Sequence, residues 1–202
     1  MSAALERLRR HPAIWRRRAL PASALPTGFP ALDGALPDAG WPMGALTEIL
    51  VPREGAGELR LVMPALADLS ARGRWLAWVG APYVPYAPAL EARGIVLSRI
   101  LWVRSDNTAQ QLWSAEQALC SGVCGAVLAW STRVHQRRLR RLQLAAESGG
   151  AWALLFRRKV SPGDGSPASL RLRVEPAAGG LVVEVLKCRG RSGARVEISL
   201  DG

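Results

Sequence analysis

Short apolar runs alternate with longer amphipathic segments through the central part of the chain. Apolar runs of about four to eight residues, bounded by polar residues, glycine or proline, are typical of buried strands. They predict strands at Ala45–Val51, Trp75–Gly80, Ile100–Val103, Gly125–Trp130 and Ala151–Phe156.

Between these runs, apolar residues recur at the spacing of an amphipathic helix. Strands and helices in alternation require right-handed crossovers, which produce a mostly parallel sheet with helices on both faces. The chain is therefore predicted to have an α/β fold. The predicted helices are Glu58–Arg72, Pro85–Arg93, Thr108–Ser121 and Arg133–Glu147.

The two ends of the chain follow other patterns. Residues 1–24 form a basic arm, and a lead-in rich in proline and glycine follows, with a short helix expected at Phe29–Ala35. Near the C-terminus, apolar and polar residues alternate at period two, which predicts antiparallel edge strands. Those strands are Ser169–Pro176, Gly179–Gly190 and Ala194–Leu200, with turns at Ala177–Gly180 and Gly190–Gly193.

The loop after the first predicted strand, "VPREGAGELR", has the position of a phosphate-binding loop. A working loop needs glycines, a lysine for the β and γ phosphates, and a hydroxyl for magnesium. Gly55 and Gly57 are present, but Glu58 and Leu59 stand where the lysine and hydroxyl belong, and Val51 replaces the opening glycine. A carboxylate at that position would repel the negative charge of a triphosphate. We therefore predict no ATP hydrolysis and no cofactor.

Two neighbouring strands also end without the expected carboxylate. The run "GAVLAW" ends at Trp130, and "WLAWVGAP" ends at Pro82, so neither supplies a magnesium ligand or a general base. Arg53 and Arg60 leave weak nucleotide contact as an open alternative. The altered nucleotide positions are Val51, Gly55, Gly57, Glu58, Leu59, Pro82 and Trp130.

The lead-in "LPTGFPALDGALPDAGWPMGALTEIL" is similar to the stretch of RecA before its phosphate loop, and Leu76–Leu112 can be laid on RecA without a gap. Together with "GELRL" and "PYVPYAPALEARGI", these motifs resemble the ImuA family of RecA/SulA-like proteins. The resemblance implies one degenerate RecA-like domain over residues 25–202: a mostly parallel sheet flanked by helices, with C-terminal antiparallel strands. It also implies that Pro82 stands at the position of the catalytic glutamate.

The same resemblance implies a non-catalytic adaptor in SOS-induced mutagenic translesion DNA synthesis. Its implied partners are ImuB and an error-prone DnaE-type polymerase, with RecA as a further candidate and DNA contact only indirect. The alternatives are an active ATPase, a SulA-like inhibitor of cell division that acts on FtsZ, and a basic DNA-binding module.

Basic residues form the candidate docking surface. The segment "STRVHQRRLRRLQLAAE" predicts a helix with an arginine-rich outer face, and further basic residues follow two later strands. A solvated helix face without a partner is the alternative. The candidate partner or DNA surface comprises Arg133, Arg137, Arg138, Arg140, Arg141, Arg157, Arg158, Lys159, Lys187 and Arg189.

Composition narrows the remaining possibilities. The 202 residues carry 27 Lys and Arg against 16 Asp and Glu, a net charge of +11, which attracts nucleic acid, membrane surfaces or acidic proteins. No apolar run has the length of a membrane span and no signal core is visible, so a soluble cytoplasmic protein without a membrane partner is expected. The spacing of Cys120, Cys124 and Cys188 favours free thiols over a metal site.

The chain contains 8 tryptophans. Those in predicted strands favour packing against the sheet, and base stacking is the alternative for exposed ones. Packing in the core or on a sheet face is predicted for Trp75, Trp78, Trp102 and Trp152, and partial exposure for Trp15, Trp41 and Trp113.

Overall fold

A computed structural model describes residues 24–132, 134–158, 165–188 and 192–200. Residues 1–23 of the predicted arm, Trp15 included, lie outside the described residues, as do Arg133, Lys159 and Arg189.

The helices and strands alternate as the sequence predicts. The helices are α1 (Pro30–Ala35), α2 (Glu58–Ala71), α3 (Ala87–Glu91), α4 (Thr108–Cys120) and α5 (Gln136–Gly149). The strands are β1 (Leu46–Leu50), β2 (Trp75–Val79), β3 (Ile100–Val103), β4 (Cys124–Trp130), β5 (Trp152–Arg157), β6 (Leu170–Ala177), β7 (Gly180–Lys187) and β8 (Arg195–Ser199).

One eight-stranded sheet has the order β3-β2-β4-β5-β1-β6-β7-β8. Strands β1 to β6 pair in parallel, whereas β7 is antiparallel to both of its neighbours. The α/β prediction with C-terminal antiparallel strands is confirmed. One detail differs: β6 was expected to be antiparallel, but it pairs in parallel with β1, so the antiparallel part begins at β7.

The two faces of the sheet carry separate helices. Helix α2 and the lead-in pack on one face, where Leu61 and Leu66 are fully buried. Helices α4 and α5 cover the other face, where Leu119 and Leu139 are buried. Because β4 is covered on both sides, all of its residues are buried.

The lead-in belongs to the core. Trp41 is 0% exposed and stacks on Trp152 with ring centroids 4.9 Å apart, and the indole of Trp152 donates to Thr47 Oγ1 at 3.0 Å. Leu25 and Trp41 exchange backbone hydrogen bonds of 2.9 and 2.7 Å, which fold the lead-in back on itself. The prediction that Trp41 is partly exposed is therefore wrong.

The other tryptophans differ in exposure. Trp78 and Trp152 are buried and Trp113 is exposed, as predicted. Trp75 and Trp102 each retain 36% exposure, so a core position is excluded for them and packing on a sheet face is the alternative that remains. Trp102 lies on the edge strand β3, which has a neighbour on one side only, and Trp75 is the first residue of β2.

Candidate functional site

The altered nucleotide positions converge at the carboxyl ends of the parallel strands. Val51, Pro82 and Trp130 line one open cavity of about 180 Å³, which follows β1, β2 and β4. Sites for drug-sized ligands usually have roughly 300–1,000 Å³. The structure therefore brings the three predicted positions together around an open cavity that is smaller than most ligand sites.

Aromatic rings fill the floor of this cavity. Trp130 stacks on Phe156 of β5 at 5.0 Å between centroids and lies 5.8 Å from Trp78 of β2. Trp130 is 9% exposed. At the end of β4 this cavity therefore presents the indole of Trp130, which supplies no oxygen ligand for a magnesium ion.

The loop before α2 binds its own carboxylate. Glu58 is the first residue of α2 and is 3% exposed, and its Oε1 accepts the Gly55 N–H at 3.0 Å. An amide at the start of a helix is the group that would otherwise contact a phosphate oxygen. Glu58 therefore already occupies the loop with negative charge, and a triphosphate would have to displace it.

Gly57 makes this arrangement possible. Its φ of 99° is left-handed, and a Cβ there would lie 2.8 Å from Leu181 Cδ2. Gly55 has a φ of 72° but open space around it. Leu59, the next residue after Glu58, is partly buried against the core and carries no hydroxyl for a magnesium ion.

Arg53 and Arg60, the two arginines that could contact a nucleotide, have different surroundings. Arg53 is exposed in the loop. Arg60 donates from Nη2 to the carbonyl of Leu200, so its guanidinium is tied to the end of β8. Arg158 also lines the cavity, and its Nε lies 3.1 Å from Glu54 Oε1.

The arginines of α5 lie on its outer side, as predicted. Leu139 and Leu142 face the sheet, whereas Arg137 and Arg140 are exposed and Arg138 is half-buried. The remaining one, Arg141, approaches Glu116 of α4, with Nη2 and Nε at 2.8 and 3.1 Å from Oε1. We call the exposed face formed by Trp113, Glu116, Arg137, Arg138, Arg140, Arg141 and Leu144 the α4–α5 surface.

Lys187 lies near the amino end of α5, because both contact the short segment formed by Gly165 and Ser166. Its Nζ donates to the carbonyl of Ser166 at 2.6 Å, and Gln136 donates to the carbonyl of Gly165 at 3.4 Å. Because Gly165 and Ser166 are consecutive, Lys187 lies close to the start of α5 although it belongs to β7.

Arg157 is not a surface residue, and its assignment to the candidate surface is wrong. It is 8% exposed and its Nη1 lies 2.7 Å from Glu48 Oε1, while Arg171 Nε lies 2.9 Å from Glu48 Oε2. Glu48 is 0% exposed. Strands β5 and β6, which flank the strand of Glu48, supply the two guanidiniums. A buried carboxylate without such charged partners would be strongly destabilising.

Sequence reasoning missed two contributors to the α4–α5 surface. Leu144 is 51% exposed, and Glu116 forms the ion pair that joins the helices. The signal for Leu144 was present: it follows Arg137 by seven residues and Arg140 by four, which places all three on one stripe of a helix. No local pattern pairs Glu116 with Arg141.

The described residues offer neither a metal centre nor a membrane-spanning helix. Within the described ranges, no group of three His, Cys, Asp or Glu side chains could hold a metal ion. None of the helices in those ranges has both the length and the apolar character needed to cross a bilayer.

A family model described as the MT3502 N-terminal domain matches residues 34–163 of the chain. The chain belongs to the MT3502 N-terminal domain family. This member is also similar to Protein ImuA of Caulobacter vibrioides, with 29% identity over 196 residues that span 84% of this chain and 80% of the relative. The resemblance to the ImuA family inferred from the sequence motifs is confirmed.

Cell division inhibitors called SulA form a second group of relatives. Those of Yersinia pestis and Yersinia pseudotuberculosis are each 26% identical over 137 residues, which span 67% of this chain and 82% of the relative. The ImuA alignment therefore extends over more of this chain than the SulA alignments do.

Proposed function

We propose that this protein is a non-catalytic RecA-like accessory protein of the DNA damage response. More specifically, it acts as an adaptor in SOS-induced mutagenic translesion synthesis and binds an ImuB-type protein and an error-prone polymerase. RecA is a further candidate partner, and contact with DNA is indirect. Similarity to ImuA and SulA supports an accessory role.

The strongest support for this proposal is the loop before α2, in which Glu58 takes the place that a phosphate would need. Its carboxylate accepts the Gly55 N–H at 3.0 Å, and the adjoining cavity measures about 180 Å³. Both features disfavour a nucleotide and support the loss of the catalytic and magnesium positions at Pro82 and Trp130. A protein that keeps this fold without nucleotide chemistry acts through its surfaces.

The candidate surface lies on α5. Arg137, Arg138, Arg140 and Arg141 belong to it, and Lys187 adds to its amino end through Ser166. The lead-in offers little apolar surface for docking, because Leu25, Leu32 and Trp41 are buried in the core of the same molecule.

The test is co-purification of the full chain with the ImuB homologue encoded in the same genome, with and without DNA. The proposal expects a DNA-independent complex and no magnesium-dependent ATP turnover by the protein alone. Absence of the complex, or ATP binding at micromolar concentration, would contradict it.

A SulA-like role is the second candidate, favoured by the SulA relatives. In that case the protein inhibits FtsZ polymerisation in a sedimentation assay and does not retain ImuB. The DNA-binding module remains the third, and salt-sensitive gel shifts without a protein partner would favour it.

A further inference from the structure

The ion pair between Arg141 and Glu116 shows which positions of α4 and α5 lie next to each other. Both helices connect parallel strands on one face of the sheet, so they run in the same direction. Arg141 Nη2 lies 2.8 Å from Glu116 Oε1. Residues three or four positions away from this pair therefore lie one turn above or below it on the facing sides.

Two exposed apolar side chains flank the pair. Trp113 stands one turn before Glu116 and is 55% exposed, and Leu144 stands one turn after Arg141 and is 51% exposed. Single exposed apolar residues are common on proteins. Two of them beside an arginine cluster indicate a binding surface, because tryptophan and arginine are among the residues most enriched at binding hot spots.

The charge of this surface is only partly compensated. Arg141 has Glu116 as its partner, whereas Arg137, Arg138 and Arg140 have no ion pair with any residue that the structure describes. Arg137, Arg140 and Leu144 follow one another at helical spacing and form a continuous stripe. A complementary partner must therefore supply both carboxylates and apolar side chains.

Nucleic acid fits these features less well than a protein helix does. Glu116, 17% exposed, lies among the arginines and would repel a phosphate backbone. Leu144 is aliphatic and offers no ring on which a base could stack. An amphipathic helix instead carries apolar residues at i, i+3 or i+4, and i+7 along one face, and it can lie in the trough between two neighbouring helices.

We propose that the α4–α5 surface binds an acidic amphipathic helix of the protein partner, with its apolar side chains on Trp113 and Leu144 and its carboxylates on Arg137, Arg138 and Arg140. This inference rests on the proposed adaptor function and specifies the chemistry of its partner. Cys120 is exposed and lies one turn after Glu116 on α4, so a partner bound to this surface should also restrict access to its thiol.

The experiment measures the affinity of the full chain for the ImuB homologue of the same genome. We expect Trp113→Ala with Leu144→Ser to weaken binding about tenfold or more, and Arg137→Glu with Arg140→Glu to do the same. Val84→Ser and Arg93→Glu are matched controls, because both residues are exposed and belong to neither α4 nor α5. The controls should stay within about twofold, and bound ImuB should slow maleimide labelling of Cys120 about tenfold.

A parallel titration with single-stranded DNA separates the alternatives. If the arginine reversals abolish DNA binding while Trp113→Ala with Leu144→Ser leaves ImuB affinity unchanged, the surface binds nucleic acid and the inference is wrong. If the wild type binds ImuB and every variant binds equally well, the inference fails while the proposed adaptor function stands. If the wild type does not bind ImuB, both are refuted. Far-UV circular dichroism establishes that the variants are folded.

Discussion

The carboxyl edge of the sheet and the α4–α5 surface use charged residues in opposite ways. At and below the edge, Glu48 holds two guanidiniums and Glu58 accepts a loop amide, and both carboxylates are buried. On α5, Arg137 and Arg140 point to solvent without an ion pair among the described residues. The first region uses charge to hold its own structure together, so it has little left for a ligand, whereas the second keeps charge available for a partner.

The largest expected effect comes from Glu48→Ala. It leaves Arg157 and Arg171 buried without their shared carboxylate, which costs about 3–5 kcal/mol of folding free energy by analogy with other broken buried pairs. Urea unfolding measures the loss. The control is Glu184→Ala, because its pair with Arg173 is about one-third exposed and contributes less than about 1 kcal/mol. Equal effects of the two variants would contradict the distinction between buried and exposed charge.

Gly57→Ala is expected to cost about 1–3 kcal/mol, because it combines a left-handed φ with a clash against Leu181. Gly55→Ala has a left-handed φ with open space and should cost about 1 kcal/mol. Thermal unfolding of the two variants separates the clash from the backbone strain. If Gly55→Ala proved the more damaging, the loop geometry described above would be wrong.

Glu58→Ala should destabilise the protein by about 1–3 kcal/mol, since the Gly55 N–H loses its carboxylate acceptor and the buried side chain of Glu58 is removed. Because the empty loop then resembles an anion site at a helix start, phosphate or sulfate should raise the melting temperature of Glu58→Ala but leave the wild type nearly unchanged. Glu54→Ala, which removes a partly exposed partner of Arg158 in the same loop, is the control. Identical anion dependence of all three proteins would show that Glu58 does not fill the loop.

Arg137→Ala with Arg140→Ala should change the free energy of unfolding by no more than about 0.5 kcal/mol, because neither side chain is buried or paired with a described residue. The same variant should lose affinity for the partner. Chemical denaturation and a binding titration on one preparation measure both. A large loss of stability would mean that these arginines are structural after all.

The smallest effect concerns the thiols. Burial raises the pKa of Cys124 above its ordinary value, opposed by the Ser121 hydrogen bond and the charge of Arg74, whereas Cys120 is exposed. At neutral pH, Cys120 should react with a thiol reagent much faster than Cys124, since the thiolate is the reactive form. The raised pKa contributes stability below the ordinary thiol pKa, and this is lost as pH rises through the value in the folded protein. Mass spectrometry of partly labelled protein identifies the site, and faster labelling of Cys124 would refute the assignment.

The sequence alone determined the alternating elements, the α/β class and the outward arginines of α5. These are local properties: the spacing of Leu139, Leu142 and Ala146 orients one helix face to the sheet, so the arginines between them must face outward. The absence of a lysine at Glu58 and of a carboxylate at Trp130 could also be read directly, because each is a matter of residue type at one position.

Only the tertiary structure decided which charges remain available. Arg157 and Arg158 are neighbours in sequence, yet the first is buried against Glu48 on another strand and the second lines an open cavity. Trp41 looked like a loop residue and proved fully buried against Trp152. In each case the deciding partner is more than a hundred residues away, and no local pattern reports a contact that forms only when distant strands are brought side by side.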